Sequence, residues 1–455
     1  MGWFDKTHLS GIIRGITEGG TCMQKLHGKN LLLVGFTLFS MFFGAGNLIF
    51  PPFLGATAGT SAWPAFVGFA MSAIGLPVLG VIAVAKAGGL STLAGRVHPR
   101  FAAVFTLLIY LSIGPCLAIP RTASTSFEMF TPLIGGGAAK QAAYSAIFFA
   151  IAFLIALRPD KLTDRLGKIL CPTLITLIVV LFAGCLMHPV AAHYGAVQPA
   201  YTSLPAAAGF LNGYQTMDTI AALNFGAIIA LNIRAKGIDE DRQVVRGTIH
   251  AGWIAGALLL AIYAMLTHAG ALAGAALPIG ESGANTLSAL AYALFGMPGR
   301  VLLAAIFLIA CLNTCIGLIS CVSDYFHGLF PRVSYRTFAA FFSLASMVVS
   351  NIGLAGIIRL STPVLNAIYP AAIVLIALSF VPQLASFRLV YPLAIGLTCV
   401  QSVTEALAKT GLSIPVWTDT VAALPLTAAG FGWLLPALAG LLLGLLLSRH
   451  KPQAA

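Results

Sequence analysis

Charge is what this chain has least of. Only 8% of its 455 residues are Asp, Glu, Lys or Arg, whereas a soluble globular protein carries about 25%. So few charges cannot cover a water-facing surface, which argues against a soluble enzyme, a disordered tail or a secreted disulfide module. No GxxxxGKS or GxxxxGKT phosphate loop is present, so the chain is not itself an ATP-driven pump, and no HExxH or Cys–His spacing offers a zinc site. The eight cysteines lie almost entirely inside apolar runs and read as small packing residues. Residues 1–30 are polar and mixed in charge, with no apolar core leading to a small-residue cleavage site, so a secretory signal peptide is not expected. No basic stripe with interleaved aromatics suggests a nucleic-acid partner.

What remains is oil. Hydrophobic residues make up 59% of the chain, and a helix needs about 20 of them in a row to cross a bilayer. Twelve such spans are expected, near 31–54, 64–85, 101–120, 141–157, 167–187, 206–231, 247–271, 300–323, 337–353, 361–382, 388–408 and 426–447. No strand alternation competes, so the fold class is an all-α polytopic membrane protein.

The formal charge of +12 has to sit between those spans. With the N-terminus inside, 20 of the 25 basic residues fall in the inner loops and tails. Arg121, Lys140, Arg300, Arg359 and Lys409 remain for the outer side. That asymmetry follows the positive-inside rule and places both termini in the cytoplasm with an even number of spans. The one dense acidic run, Asp239-Glu240-Asp241, is interleaved with basic residues and reads as a solvated loop rather than the acid cluster of a membrane-embedded enzyme.

Two spans look interrupted. The first carries Gly44-Ala45-Gly46-Asn47 at its middle and Pro51-Pro52 just beyond. Glycine and asparagine weaken a helix, and an interior proline deletes a hydrogen bond. Both oddities resolve if the helix stops near Phe43 and restarts near Leu48, with the prolines in or near the first turn of the new half; a proline-kinked helix is the alternative. In the sixth span Gly209, Asn212, Gly213, Tyr214, Gln215 and Asp218 crowd the outer half, and a cleaner apolar run begins at Thr219. Asp218 either caps that second half or is a coupling-site carboxylate. Paired breaks in spans 1 and 6 suggest two inverted five-helix repeats, in which half-helix amides attract anions and unwound carbonyls attract cations. Such breaks favour a carrier over a channel or scaffold. Gly440 and Gly444 in the last span can pack another helix of the same chain or a second copy.

Several segments point to one family. Gly44-Ala45-Gly46-Asn47 followed by IFPP, GLP at 75–77, AKAGG at 85–89, GP at 114–115 and PRTASTSFE at 120–128 are joined by NGYQTMDT at 212–219, SYRT at 334–337 and MVVSNIGL at 347–354. From about Leu31 to the end of span 12 the chain resembles the bacterial branched-chain amino-acid:cation symporters of the amino acid–polyamine–organocation superfamily. The resemblance implies cation-coupled uptake of leucine, isoleucine and valine across the cytoplasmic membrane, with Na+ as the usual coupling ion and no cofactor. It also implies a five-plus-five inverted repeat at 31–187 and 206–382, two extra helices within 388–447, an N-terminal tail at 1–30 and a C-terminal tail at 448–455. H+ coupling, or another cargo on the same fold, is the alternative. The oligomeric state stays open.

The GxGN tetrapeptide is also similar to the first-helix motif of sodium-coupled neurotransmitter and amino-acid symporters. That similarity implies that the amides of Ala45 and Gly46 hold the substrate carboxylate. The Asn47 side chain and the Phe42 carbonyl would face one sodium, and the carbonyls of Ser40 and Phe43 a second. In the eighth span Ala310, Asn313 and Thr314 have the i, i+3, i+4 spacing of the second site's other ligands, although Asn313 stands where that family tends to carry a hydroxyl. An interhelical hydrogen bond is the alternative for Asn313 and Thr314. Tyr110 matches a tyrosine that bonds the substrate carboxylate, or is a packing aromatic. Phe210, Gly213 and Tyr214 are placed in the substrate site with Asp218, packing being the alternative for Phe210 and Tyr214.

Overall fold

A segment in lipid has no water to satisfy its backbone, so it closes its hydrogen bonds along itself as helix. A computed structural model describes residues 28–157, 168–238, 240–280, 283–412 and 417–448, and no strand occurs among them. The N-terminal tail up to residue 27, Arg158, Lys161 and Arg165 of the fourth loop, Asp239 and residues 449–455 lie outside the described residues.

The first span is α1 (Gly28–Phe42) and α2 (Ala45–Ala58). Next come α3 (Ala62–Ala70) and α4 (Leu76–Ala87), joined by a π-helical turn at 71–75, then the short α5 (Leu90–Gly95). The third span is α6 (Pro99–Leu111), a π-helical turn at 112–116, and α7 (Ala118–Ile134). It is followed by α8 (Ala138–Ala156) and α9 (Cys171–Met187). The sixth span is α10 (Pro205–Gly213) and α11 (Asp218–Arg234). Beyond it lie α12 (Asp241–Ala276), α13 (Gly283–Phe295), α14 (Met297–Leu329), α15 (Tyr335–Ser350) and α16 (Leu354–Ser379). The chain closes with α17 (Val390–Lys409), α18 (Trp417–Ala422) and α19 (Leu434–Leu447).

Among the described residues, eight helical rods are long and apolar enough to cross a membrane, and a ninth forms if the pair 205–216 and 218–234, bent by 47°, is one span. Helices α1 and α19 are shorter apolar pieces. Every expected span holds a helix, but the third runs to Ile134 rather than residue 120. At 112–116 the rod is kinked: Gly114 has non-helical φ −84° and ψ −130°, and α7 starts anew beyond Leu117. The last span begins only at Leu434. Large apolar side chains face outward along the rods, for example Ile147 at 63%, Leu154 at 65% and Val348 at 68% exposure, as a lipid-facing wall requires.

Glycine brings the central helices into backbone contact. A Cβ on Gly209 would lie 1.9 Å from the Ala65 carbonyl oxygen, and one on Gly68 1.8 Å from that of Ala206, so α10 is pressed against α3. Gly270 meets the Pro52 carbonyl in the same way and holds α12 against α2. Gly440 and Gly444 pack on Leu393, Ala394 and Val390 of α17, so that pair makes a contact within the chain.

Candidate functional site

Both interrupted spans open at one place. α1 ends at Phe42 and α2 begins at Ala45, close to the expected break. Pro51 and Pro52 sit one turn deeper than expected, as the seventh and eighth residues of α2. They therefore withhold the N–H groups that the carbonyls of Asn47 and Leu48 would otherwise take. The opening N–H groups of α2 have no partner in the helix itself. Asn47 ties the break together, its side-chain oxygen accepting the Gly44 N–H at 3.0 Å.

In the sixth span the break falls at Met217, whose φ of 67° is a left-handed conformation rare for a side chain of this size. Holding it there costs about 1–3 kcal/mol. The residue before α11 is thus Met217, and Asp218 is the first residue of the helix. The Asp218 carboxylate does not cap α11. It crosses to the other broken span, accepting the Asn47 side-chain N–H at 2.5 Å and the Tyr263 hydroxyl of α12 at 3.1 Å. Asn47 also contacts the Tyr263 hydroxyl. All three are buried, with Asp218 3% and Asn47 2% exposed.

Around this junction lies a cavity of about 20 Å³, lined by Phe42, Gly44, Ala45, Gly46, Asn47, Arg121, Thr216, Asp218, Phe225 and Thr314 among others. That is room for one water and too little for an amino acid, so a ligand enters only when the walls part. Met41, Ile113 and Leu318 add apolar surface to the wall.

Of the residues singled out in the sequence, Phe42, Ala45, Gly46, Asn47, Asp218 and Thr314 meet at this cavity. Thr314 abuts the first break, 2.4 Å from where a Gly44 Cβ would stand. Its hydroxyl has no partner, and neither does either end of the fully buried Asn313 amide one residue before it. The interhelical hydrogen bond weighed for these two residues is therefore not made. Ser40, Phe43 and Ala310 are buried nearby in α1, the break and α14, without lining the cavity. Phe43 stacks on Phe39.

Four expected site residues go elsewhere. Tyr110 stacks on Tyr325 of α14 with ring centroids 3.8 Å apart and is not brought to the cavity. Phe210 packs on Tyr214 and Phe431. Tyr214 stacks on Tyr369 and lines a separate cavity of about 330 Å³ with Thr362, Gln401, Glu405 and Trp433. Gly213 is a close-packing residue, since a Cβ there would lie 1.8 Å from the Ser72 hydroxyl.

Sequence reasoning missed Arg121 and Tyr263. Arg121 was assigned to an outer loop, but it is 3% exposed in the first turn of α7 and lines the cavity. Pro120-Arg121 reads as a helix end, whereas Pro120 is accommodated inside the first turn of α7. The signal was the run from Ala118 to Phe127, whose small and hydroxylated residues are all buried. Tyr263 gave no signal beyond a lone tyrosine in an apolar run.

Comparison with known proteins identifies the family. A family model described as branched-chain amino acid transport protein matches residues 27–451. The branched-chain amino acid permease BraB of Bacillus subtilis is 40% identical over 427 residues, covering 92% of this chain and 96% of that protein. The branched-chain amino acid transport system 2 carrier protein of Pseudomonas aeruginosa is 39% identical over 441 residues, covering 95% and 100%. Among solved structures, the chain is similar to Mhp1, a nucleobase-cation-symport-1 family transporter with bromovinylhydantoin bound, at a TM-score of 0.61 and 13% identity over 91% of each chain. It is also similar to a Na+-coupled sialic acid symporter in a substrate-bound outward-open state, at a TM-score of 0.57 and 12% identity over 92% of this chain and 91% of the other. At such low identity these two establish the fold alone. The chain belongs to the branched-chain amino acid transport protein family, a family of multi-pass membrane permeases rather than enzymes, and has the broken-helix transporter fold.

Proposed function

We propose that this permease imports leucine, isoleucine and valine by Na+ symport with alternating access, across the bacterial cytoplasmic membrane and with both termini inside. The observation that carries the reading is the meeting of two half-helix breaks at one buried cavity. The unpaired amides at the start of α2 suit a carboxylate. The Asp218 carboxylate suits an ammonium. Phe42, Phe225, Met41 and Ile113 suit a branched aliphatic tail. One methylene in such a pocket is worth about 1–3 kcal/mol, so the three substrates share the site with weak discrimination.

Support for sodium comes from the orphaned oxygens. Thr314 places a hydroxyl without a partner beside the first break, and the Asn313 amide one residue earlier is buried without a partner; the carbonyls of Phe43 at the break and of Ser40 in the last turn of α1 would complete such a site. A hard cation takes oxygen ligands of this kind. A sodium near Asn47 would use the Phe42 carbonyl and the second lone pair of the Asn47 oxygen, whose first is on Gly44. In this reading the twelve helical segments are twelve crossings. Those within 31–187 and 206–382 form the inverted repeats, the last two are additions, and the broken spans rock as a unit around the midplane site.

Uptake of labelled leucine into proteoliposomes, with Na+ and pH gradients imposed separately, tests it. Accumulation is expected to follow the Na+ gradient and to be inhibited by isoleucine and valine but not by arginine. Accumulation on a proton gradient without Na+ would assign coupling to H+ through Asp218. Inhibition by arginine as strong as by isoleucine would remove the branched-chain site.

A further inference from the structure

The buried cation on the cavity wall has no role in the scheme above. The Arg121 guanidinium donates from Nη1 to the Gln215 carbonyl at 2.7 Å and from Nη2 to the Thr216 carbonyl at 3.2 Å. These carbonyls close the outer half of the broken sixth span, where a helix dipole presents its negative end. The Phe50 ring lies 5.8 Å from the guanidinium carbon. Toward the other break, a Cβ placed on Gly46 would lie 2.8 Å from Nη2. The guanidinium tip thus reaches the Gly46 position, where the Thr216 backbone also leaves little room for a side chain, and the opening of α2 lies beside a full positive charge.

A guanidinium offers five N–H donors in a planar fork that matches a carboxylate. The two carbonyl bonds engage one edge of it. Among the described residues no carboxylate lies within 4.0 Å of Arg121. A guanidinium this deep, whose hydrogen bonds go to carbonyls alone, has N–H donors left over for an anion. Asp218 lines the same cavity and has its own donors in Asn47 and Tyr263.

We infer that Arg121 is the residue that reads the substrate carboxylate, its free N–H edge forming one anion cradle with the amides of Ala45 and Gly46. This rests on the amino-acid reading of the cavity and sharpens it. One positive and one negative side chain face the two charges of a zwitterion. Docking therefore adds no net charge to a dry site, and an amine without a carboxylate leaves Arg121 unpaired. The cradle selects α-amino acids over their alcohols and amines.

The test is binding and uptake of leucine against leucinol by the purified full-length protein in proteoliposomes, in wild type, Arg121→Lys and Arg121→Gln. Wild type is expected to prefer leucine strongly. Arg121→Gln should lose about 10- to 100-fold in leucine affinity, the worth of one hydrogen bond to a charged group, while its affinity for leucinol changes little. Arg121→Lys should keep the charge, lose the fork and fall between. Thermal unfolding in detergent reports whether the variants fold. Leucinol competing as well as leucine in wild type would overturn the assignment without any variant, as would a leucine-to-leucinol ratio unchanged in a folded Arg121→Gln. Wild type that takes up none of the three branched-chain amino acids would instead sink the function proposed above.

Discussion

Asn47 and Asp218, 171 residues apart in sequence, are joined by a hydrogen bond of 2.5 Å between the two broken spans. Each belongs to the first turn of the half-helix that follows its break, α2 and α11. The bond couples the two breaks directly, so a displacement of one half-helix is felt by the other. Tyr263 completes the triangle from α12 and fixes both side chains against a third helix.

Asn47→Ala removes the bond to Asp218 and the bond from Gly44 N–H in one step. The Gly44 N–H loses its side-chain acceptor and Asp218 keeps only the Tyr263 hydroxyl, and a lost hydrogen bond of this buried kind costs about 1–3 kcal/mol. Leucine affinity and sodium dependence are expected to weaken together, by tenfold or more on that energy scale. Uptake measured across a series of Na+ concentrations checks this, and unchanged values of both constants would take Asn47 out of the site.

Asn313→Leu separates an ion site from a structural one. The wild-type amide is fully buried with no partner, so an apolar replacement of similar shape removes an unsatisfied group worth about 1–3 kcal/mol. The variant should melt no lower than wild type in detergent, yet need much more Na+ for half-maximal uptake. Thr314→Val should behave the same way. Lowered stability with normal sodium dependence would assign both residues to packing.

Gly209→Ala tests how tightly the first half of the sixth span, α10, is seated. Its Cβ meets a backbone carbonyl of α3 at 1.9 Å, and backbone cannot rotate away as a side chain can. Overpacking of this kind costs about 1–3 kcal/mol. A lower melting temperature and reduced uptake are expected, while Gly396→Ala, where nothing lies within 4 Å, should leave both unchanged.

Charge balance in the cavity makes a statement about voltage. Arg121 and Asp218 offset each other, and a zwitterion adds nothing, so under the proposed Na+ symport each cycle moves the charge of its Na+ alone. One elementary charge across 100 mV is worth about 2.3 kcal/mol. An inside-negative potassium diffusion potential should therefore accelerate leucine uptake, and collapsing it should slow uptake at an unchanged Na+ gradient. Uptake indifferent to the potential would argue for an electroneutral exchange.

The sequence by itself determined the class of molecule and the place of both breaks. Sparse charge and long apolar runs leave no other fold class. Gly44-Ala45-Gly46-Asn47 and the Gly213–Asp218 segment cannot continue a helix at low cost in lipid, because their weak helix formers sit where no water can take up the freed backbone groups. These are local properties, and local composition records them. Only the tertiary structure decided which polar groups share the cavity. Tyr110 and Arg121 lie in α6 and α7, on either side of the kink at Gly114, and that kink leaves one against Tyr325 and brings the other to the cavity. Asp218 looks like a helix cap until Asn47 and Tyr263 are seen to reach it from other segments. Direction across a helix bundle depends on the accumulated twist of every turn and on glycine contacts far away in sequence. That is why the breaks were legible in the chain, while the partners that meet at them were not.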